Sequence, residues 1–452
     1  MPSVRPSGSS RAPAGPGRVR AEGGCVMARA SGRAQMLGGL ISASHFTTLT
    51  QVPGLVSDYA TAYGWPEVLL YLSDIQQSVL SLLTGESLDG GDAGEGARTE
   101  IRIDGTAPGR AFQLGEILPT SAQRDQWWVP VLNGTERVGL MRVTTADAGE
   151  DSMRDMRELA GLVALLVVTK RGTSDAYARL VRRRRMNVSA EMEWRLMPPR
   201  TFATDRLVIS ALMEPAYEVS GDAFDYAFAD GVAHLCVIDA MGHDTAAGLT
   251  ANLAVAATRN LRRQGSDLVE TANGVEKALV EQFEDTRFAT GILAQIDIST
   301  GELTWISRGH YPPVVIRGGR FAIALDCAPA PPMGTGLGIS PTVCRHQLEP
   351  GDRVLLYTDG ITEARNPQGD EFGLERFTDF LIRHHADGLP VPETMRRLIR
   401  HHLEYHRGRL VDDATMMLVE WHGPAPYEPG QAEALVGLPG INSPRRLYGV
   451  SR

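Results

Sequence analysis

The sequence is poor in lysine, poor in cysteine and free of long apolar runs. Its only lysines are Lys170 and Lys277, so arginine supplies 43 of the 45 basic residues, a skew that reads as GC-rich coding rather than as a binding surface. With a net charge of -9 the chain lacks the basic surplus of a nucleic-acid binder, and no nucleic acid is expected among its partners. The four cysteines, Cys25, Cys236, Cys327 and Cys344, contain no CxxC pair. That spacing argues against structural zinc, and such sparse usage suits a reducing cytoplasm. The longest apolar run, residues 159–168, is too short to cross a bilayer, and no apolar stretch precedes Cys25 as in a signal peptide. No membrane association is expected, and the expected localisation is cytoplasmic.

What is present divides the chain. At 452 residues it exceeds one compact core, so two domains and connecting segments are expected. Residues 1–40, rich in Pro, Gly, Ser, Ala and Arg, and the similar tail 423–452 are expected to be disordered. Residues 41–170 read as an α+β unit: a helix at 55–63, short apolar strands at 68–72 and 79–83, and a glycine-rich loop at 85–96. A hairpin follows around the Asn133-Gly134 turn, and an amphipathic helix at 153–168 closes the unit. Residues 171–197 read as a helical linker that ends at Pro198-Pro199. Its run Arg182 to Arg185 is read as a solvated helix face rather than an anion-binding patch. Residues 198–422 alternate hairpins with a few helices, which predicts an α+β sandwich of two sheets.

The chemistry lies in acids at strand ends. Asp222 follows Gly221, Asp239 ends the apolar run 235–238, Asp359 follows the run 354–358, and Asp412 and Asp413 precede the last strand. Carboxylates gathered in one place repel one another unless a cation joins them. Oxygen ligands favour Mg²⁺ or Mn²⁺ over zinc, and two such ions can share a water for in-line attack on a phosphoryl group. A lone Asp-Gly after a strand is usually only a turn, so spacing by itself leaves metal catalysis open.

A resemblance carries the reading further. The run from Leu355 to Ala364 with Glu371-Phe372-Gly373, together with Gly221-Asp222-Ala223-Phe224-Asp225, resembles the SpoIIE/RsbU branch of the PPM-type (protein phosphatase 2C-like) serine/threonine phosphatases. Asp239-Ala240-Met241-Gly242-His243, Arg308-Gly309-His310-Tyr311-Pro312-Pro313 and Asp412-Asp413-Ala414-Thr415 resemble it too, in family order. The resemblance implies two packed antiparallel sheets flanked by helices and two divalent cations, Mn²⁺ or Mg²⁺, with Asp222, Asp239, Asp359 and Asp412 as the catalytic acids. Asp239 would bridge both ions, Asp222 and the carbonyl of Ala240 would hold one, and Asp359 and Asp412 the other; the resemblance makes Asp413 the lesser candidate. It further implies a phosphorylated regulatory protein as substrate, such as an anti-sigma-factor antagonist.

The sequence departs from the family pattern at Ser220, Ala240 and Asp244, and a weak pseudo-phosphatase acting as a signalling scaffold is the alternative. The run from Asp104 to Phe112 resembles a GAF-like sensor domain, which fits both a small-molecule or protein signal and a dimerisation module, with homodimerisation through the linker also open. The histidines from His401 to His406 miss the HExxH arrangement by one place and read as a helix surface. His243 and His310 read as supporting groups rather than proton donors.

Overall fold

The computed structural model describes residues 17–85, 99–120, 125–147, 149–218, 221–366, 368–406, 410 and 412–425, with side chains from residue 29 onward. The expected disorder of residues 1–16 and 426–452, most of the loop at 85–96 and the Ser220 departure lie outside the described residues.

The first unit is an antiparallel sheet of β1 (Glu67–Ser73), β2 (Val79–Leu82), β3 (Glu100–Arg102), β4 (Leu118–Pro119), β5 (Gln126–Asn133) and β6 (Glu136–Thr144), in the order β3-β2-β1-β6-β5-β4. Strand alternation sends neighbouring side chains to opposite faces. Leu70, Leu72, Met141 and Val143 therefore join one core with α1 (Gly17–Ser44), α2 (Val52–Tyr63) and α4 (Glu150–Arg171). Tyr71 and Leu140 face a smaller core under α3 (Ala107–Leu114).

Helix α1 corrects the expectation of disorder for residues 17–40. Its alanines, arginines and methionines are strong helix formers, and its C-terminal half has surface to bury. Met36 and Leu40 are fully buried, and Arg29 and Arg33 pair with Asp155 on α4. Lys170 Nζ then donates to the Ser44 carbonyl at the helix end, at 2.8 Å. The scattered glycines hide this pattern in the sequence.

The linker is two short helices, α5 (Asp175–Val181) and α6 (Val188–Leu196), broken where Arg182 turns extended. Arg182 pairs with Glu191 and Arg183 with Glu100, so half of the arginine run is spent on acids of the same chain. The first unit also grips the second directly: Asp104 pairs with Arg396 and Arg400, and Gln76 Nε2 donates to Glu214 at 2.9 Å.

The second unit stacks two sheets. One orders β15 (Cys344–Gln347), β12 (Glu302–Arg308), β11 (Ala289–Asp297), β10 (Val232–Ala240) and β9 (Asp222–Ala229). The other orders β14 (Phe321–Ala324), β13 (Val314–Arg317), β16 (Arg353–Tyr357), β17 (Ala414–Trp421), β8 (Leu207–Glu214) and β7 (Thr201–Ala203). Helices α7 (Thr245–Arg263) and α8 (Leu268–Phe283) cover the first sheet; α10 (Leu374–Ala386) and α11 (Val391–Tyr405) cover the second.

All eight residues of β17 are buried because its two faces feed two cores. Met417, Val419 and Trp421 point between the sheets, and Ala414, Met416 and Leu418 point toward α10 and α11. Each large apolar side chain so buried contributes roughly 1.5–3 kcal/mol. The expected α+β sandwich is therefore the fold. Two features lie beyond the sequence reading. Helix α8 opens with a capping box between Asp267 and Glu270, a signal present at 267–270 but not used. Cys327 and Cys344, unpaired by any spacing rule, form a disulfide across 17 positions because β14 and β15 bring the ends of one loop together.

Candidate metal centre

The turn at Asp230-Gly231 closes β9 onto β10 so that Asp222, the first residue of β9, stands directly opposite Asp239, the second-last of β10. Directly opposed carboxylates are unfavourable; at about 5 Å they repel by roughly 3 kcal/mol at an effective dielectric near 20. The other acids arrive from the second sheet. Asp359 opens the short helix α9 (Asp359–Thr362) where β16 ends, and Asp412 and Asp413 lead into β17 beside it.

The electrostatics record the convergence. Burial first, then the charges of Asp239 and Asp413, push the Asp222 carboxyl well above the usual range. Asp239 is pushed up to about 7, by burial first and then by Asp359, Asp412 and Asp413. Asp359 is raised by burial, Asp412 and Glu363. The structure thus sets Asp222 beside Asp239, and Asp239 within reach of the charges of Asp359 and Asp412. It also adds Asp413, which is buried and faces both Asp222 and Asp239, whereas Asp412 is exposed.

Ala240 closes the strand beside this group, its N–H donating to the Gly221 carbonyl at 2.9 Å. Gly221 is required there: its φ is +144°, and a Cβ would stand 2.8 Å from the Gly242 oxygen and 3.2 Å from that of Ala240.

Thr358, which sequence reasoning passed over, ties the two sheets at this point. Its hydroxyl donates to Asp222 Oδ2 at 2.7 Å and accepts from the Thr415 N–H at 2.9 Å. Behind Asp239, Thr290 Oγ1 lies 3.4 Å from Asp239 Oδ2 and 2.9 Å from His310 Nδ1, so one proton serves two acceptors. His310 is buried, its Nε2 donates to the Tyr357 carbonyl at 3.0 Å, and burial lowers its pKa to about 4. It is a neutral supporting group.

Asp244 turns out to be a helix cap. It accepts from the Ala247 N–H at 2.8 Å and pairs with Arg287, and the hydrogen bond from Arg287, then that from Ala247, lowers its pKa. Arg287 also donates to the Met241 carbonyl at 3.2 Å and so brings a cation to the loop after Asp239, a placement no local motif announces.

The donor set fits divalent cations. The influences on Asp222, Asp239 and Asp359 are burial, like charge and hydroxyl or backbone hydrogen bonds, with no lysine or arginine among them. Such a set is stable in the ionised form only with added positive charge. Among the described residues no group of three or more acids, histidines or cysteines stands close enough together to hold a metal ion.

One close approach holds the second half of this arrangement. A Cβ on Gly360 would stand 1.8 Å from the Asp413 carbonyl oxygen, and backbone cannot yield as a side chain does. Gly360→Ala is expected to cost about 1–3 kcal/mol or more and to weaken Mn²⁺ binding. Thermal melting and calorimetric titration check this, and an unchanged melt with unchanged Mn²⁺ uptake would refute it.

Residues 229–422 match the family described as Stage II sporulation protein E (SpoIIE). The stretch includes Asp239, Asp359 and Asp412 and stops short of Asp222. Protein IcfG of Synechocystis is 26% identical over 247 residues, which cover 47% of this chain and 37% of that protein. The phosphoserine phosphatase RsbU of Bacillus subtilis is 23% identical over 190 residues, covering 41% of this chain and 55% of RsbU. The matched stretches are thus less than two thirds of either relative. Among solved structures, the RsbU and RsbW domains of a Mycobacterium tuberculosis protein align over 51% of this chain and 64% of that one, at 23% identity and a TM-score of 0.44. The SiaA PP2C domain of Pseudomonas aeruginosa aligns over 47% and 85%, at 23% identity and 0.42. By the family match and its RsbU homologue, this chain carries a SpoIIE-family domain over residues 229–422.

Proposed function

We propose that this protein is a metal-dependent serine/threonine phosphatase that hydrolyses phosphoserine or phosphothreonine on a regulatory protein. The observation that carries the reading is the meeting of acids from two sheets, with Asp222 and Asp239 opposed across β9 and β10 and Asp359 and Asp412 facing Asp239. In this reading Asp239 would hold both of two cations, Asp222 and the Ala240 carbonyl would hold one of them, and Asp359 and Asp412 would hold the other. Bound Mn²⁺ or Mg²⁺ supplies charge for the phosphoryl oxygens and lowers the pKa of an attacking water.

The protein's own part is positional. Strand ends fix the carboxylates, Thr358 orients Asp222, and Thr290 with His310 backs Asp239. Arg287 ties the neighbouring loop, donating to the Met241 carbonyl while it pairs with Asp244.

The name of the phosphoserine phosphatase relative supports a phosphoserine-bearing substrate, and the partner proposed is a phosphorylated regulator such as an anti-sigma-factor antagonist. The first unit, with its helices on both faces of an antiparallel sheet, is read as a GAF-like sensor for a small-molecule or protein signal. Against the scaffold alternative, the departure at Asp244 has a structural role of its own: it caps α7 and pairs with Arg287. The test is release of phosphate from a phosphoserine peptide with Mn²⁺ and its loss on chelation; a rate indifferent to chelator would exclude the reading.

A further inference from the structure

The edge strand β9 is held from outside by a helix that belongs to the linker. In the order of its sheet β9 is terminal, so N–H groups on its free side need acceptors from elsewhere. Two residues one helical turn apart, one in α6 and one just past it, supply acceptors to Gly221, just before β9, and to Phe224 within it. Glu193 Oε1 accepts from the Gly221 N–H at 3.1 Å, and Met197 Sδ accepts from the Phe224 N–H at 3.2 Å. Helix α6 reaches this close because α7 presents Gly248, where a Cβ would stand 2.9 Å from Ser189 Cβ and 3.2 Å from Glu193 Oε1.

The choice of a carboxyl group here is the informative part. Glu193 is fully buried, and its Oε2 has no hydrogen-bond partner among the described residues. An apolar side chain of the same size would fill the space at lower desolvation cost. What only an acceptor can do is fix the Gly221 peptide. The carbonyl of Gly221, which belongs to the following peptide, receives the Ala240 N–H at 2.9 Å, and the next residue is Asp222.

We propose that Glu193 is a positioning residue of the acidic centre, holding the Gly221 turn so that the Asp222 carboxylate and the Ala240 carbonyl face the cations together. It lies upstream of the family-matched residues 229–422, on the segment that joins the two units. The inference rests on the metal reading given above and assigns that site a support from outside the matched domain.

The test uses full-length, metal-free protein and Mn²⁺ alone as the probe. Glu193→Gln keeps both the acceptor oxygen and the volume; Glu193→Leu keeps the volume only; Glu193→Asp keeps the charge and shortens the reach. Calorimetric titration is expected to show the Leu and Asp variants weakened about tenfold toward Mn²⁺ and the Gln variant within about twofold of wild type. Hydrogen exchange should rise over the Gly221 end of β9 in the Leu and Asp variants only. The Asp variant carries the test if the Leu variant does not fold. Wild-type affinity and exchange in both Leu and Asp variants would overturn the proposal, and so would a Gln variant as impaired as they are. If wild-type protein takes up no Mn²⁺, the metal reading fails, and the exchange measurement alone decides whether Glu193 holds the turn.

Discussion

Asp239→Asn is expected to lose Mn²⁺-dependent phosphoester hydrolysis by on the order of a thousandfold and, at neutral pH, to make the metal-free protein more stable. The two effects have one cause. Asp239 is mostly buried and faces Asp359, Asp412 and Asp413, which together with burial push its pKa from the usual 3.8 up to about 7. In the unfolded chain its carboxyl ionises near 3.8; in the folded protein it holds its proton to about 7. Its contribution to stability is therefore fully present below pH 3.8 and is lost as pH rises toward 7. Above that the loss is complete and amounts to a few kcal/mol, at about 1.4 kcal/mol for each unit of displacement. Asparagine carries no charge, so the variant escapes this loss. An ordinary core acid held by an arginine would behave in the opposite way, since its removal would strand a buried partner. Melts of the metal-free proteins at pH 5 and pH 8 provide the measurement. A variant equally active, or one less stable than wild type at pH 8, would remove the acidic centre from the enzyme reading.

Much of the centre is legible in the sequence because each acid sits at a local signal. Asp222 and Asp239 flank one hairpin whose Asp-Gly turn sets the register, so their opposition follows from counting residues in both directions from the turn. Asp359 follows a strand of five buried residues, and Asp412 precedes one of eight. What the sequence does not show is the contact between the two sheets. Thr358 joins Asp222 across 136 positions, and no periodicity marks a threonine for that task. The same holds for Glu193, whose role depends on α6 docking against Gly248, and for Asp413, whose burial beside an exposed Asp412 depends on which way the chain enters β17. Helix α1 was hidden for a different reason. Composition averages over both faces of a helix, and its small buried stripe, Met36 and Leu40, lies among glycines and arginines that dominate the average.

The second large effect concerns how cations and protons compete for the same oxygens. Mn²⁺ is expected to raise the melting temperature strongly at pH 7.5 and only slightly at pH 5.5. Burial and neighbouring acids raise the pKa values of Asp222, Asp239 and Asp359. Each of these groups must release its proton before it can serve as a ligand. At pH 7.5 Asp239, with its pKa near 7, is mostly ionised and ready to bind. At pH 5.5 it is protonated, and each proton displaced weakens the apparent affinity by about tenfold per pH unit, or roughly thirtyfold over that interval. Mn²⁺ at about a hundred times its dissociation constant stabilises the folded state by about 2.7 kcal/mol; a thirtyfold loss of affinity removes most of that. In Asp239→Asn the dependence should flatten, because the group pushed up to about 7 is gone and the remaining acids hold the cation less well at every pH. Differential scanning calorimetry with and without Mn²⁺ at the two pH values reads both proteins. Equal shifts at pH 5.5 and 7.5 in the wild type would mean that the cation binds somewhere other than these coupled carboxylates.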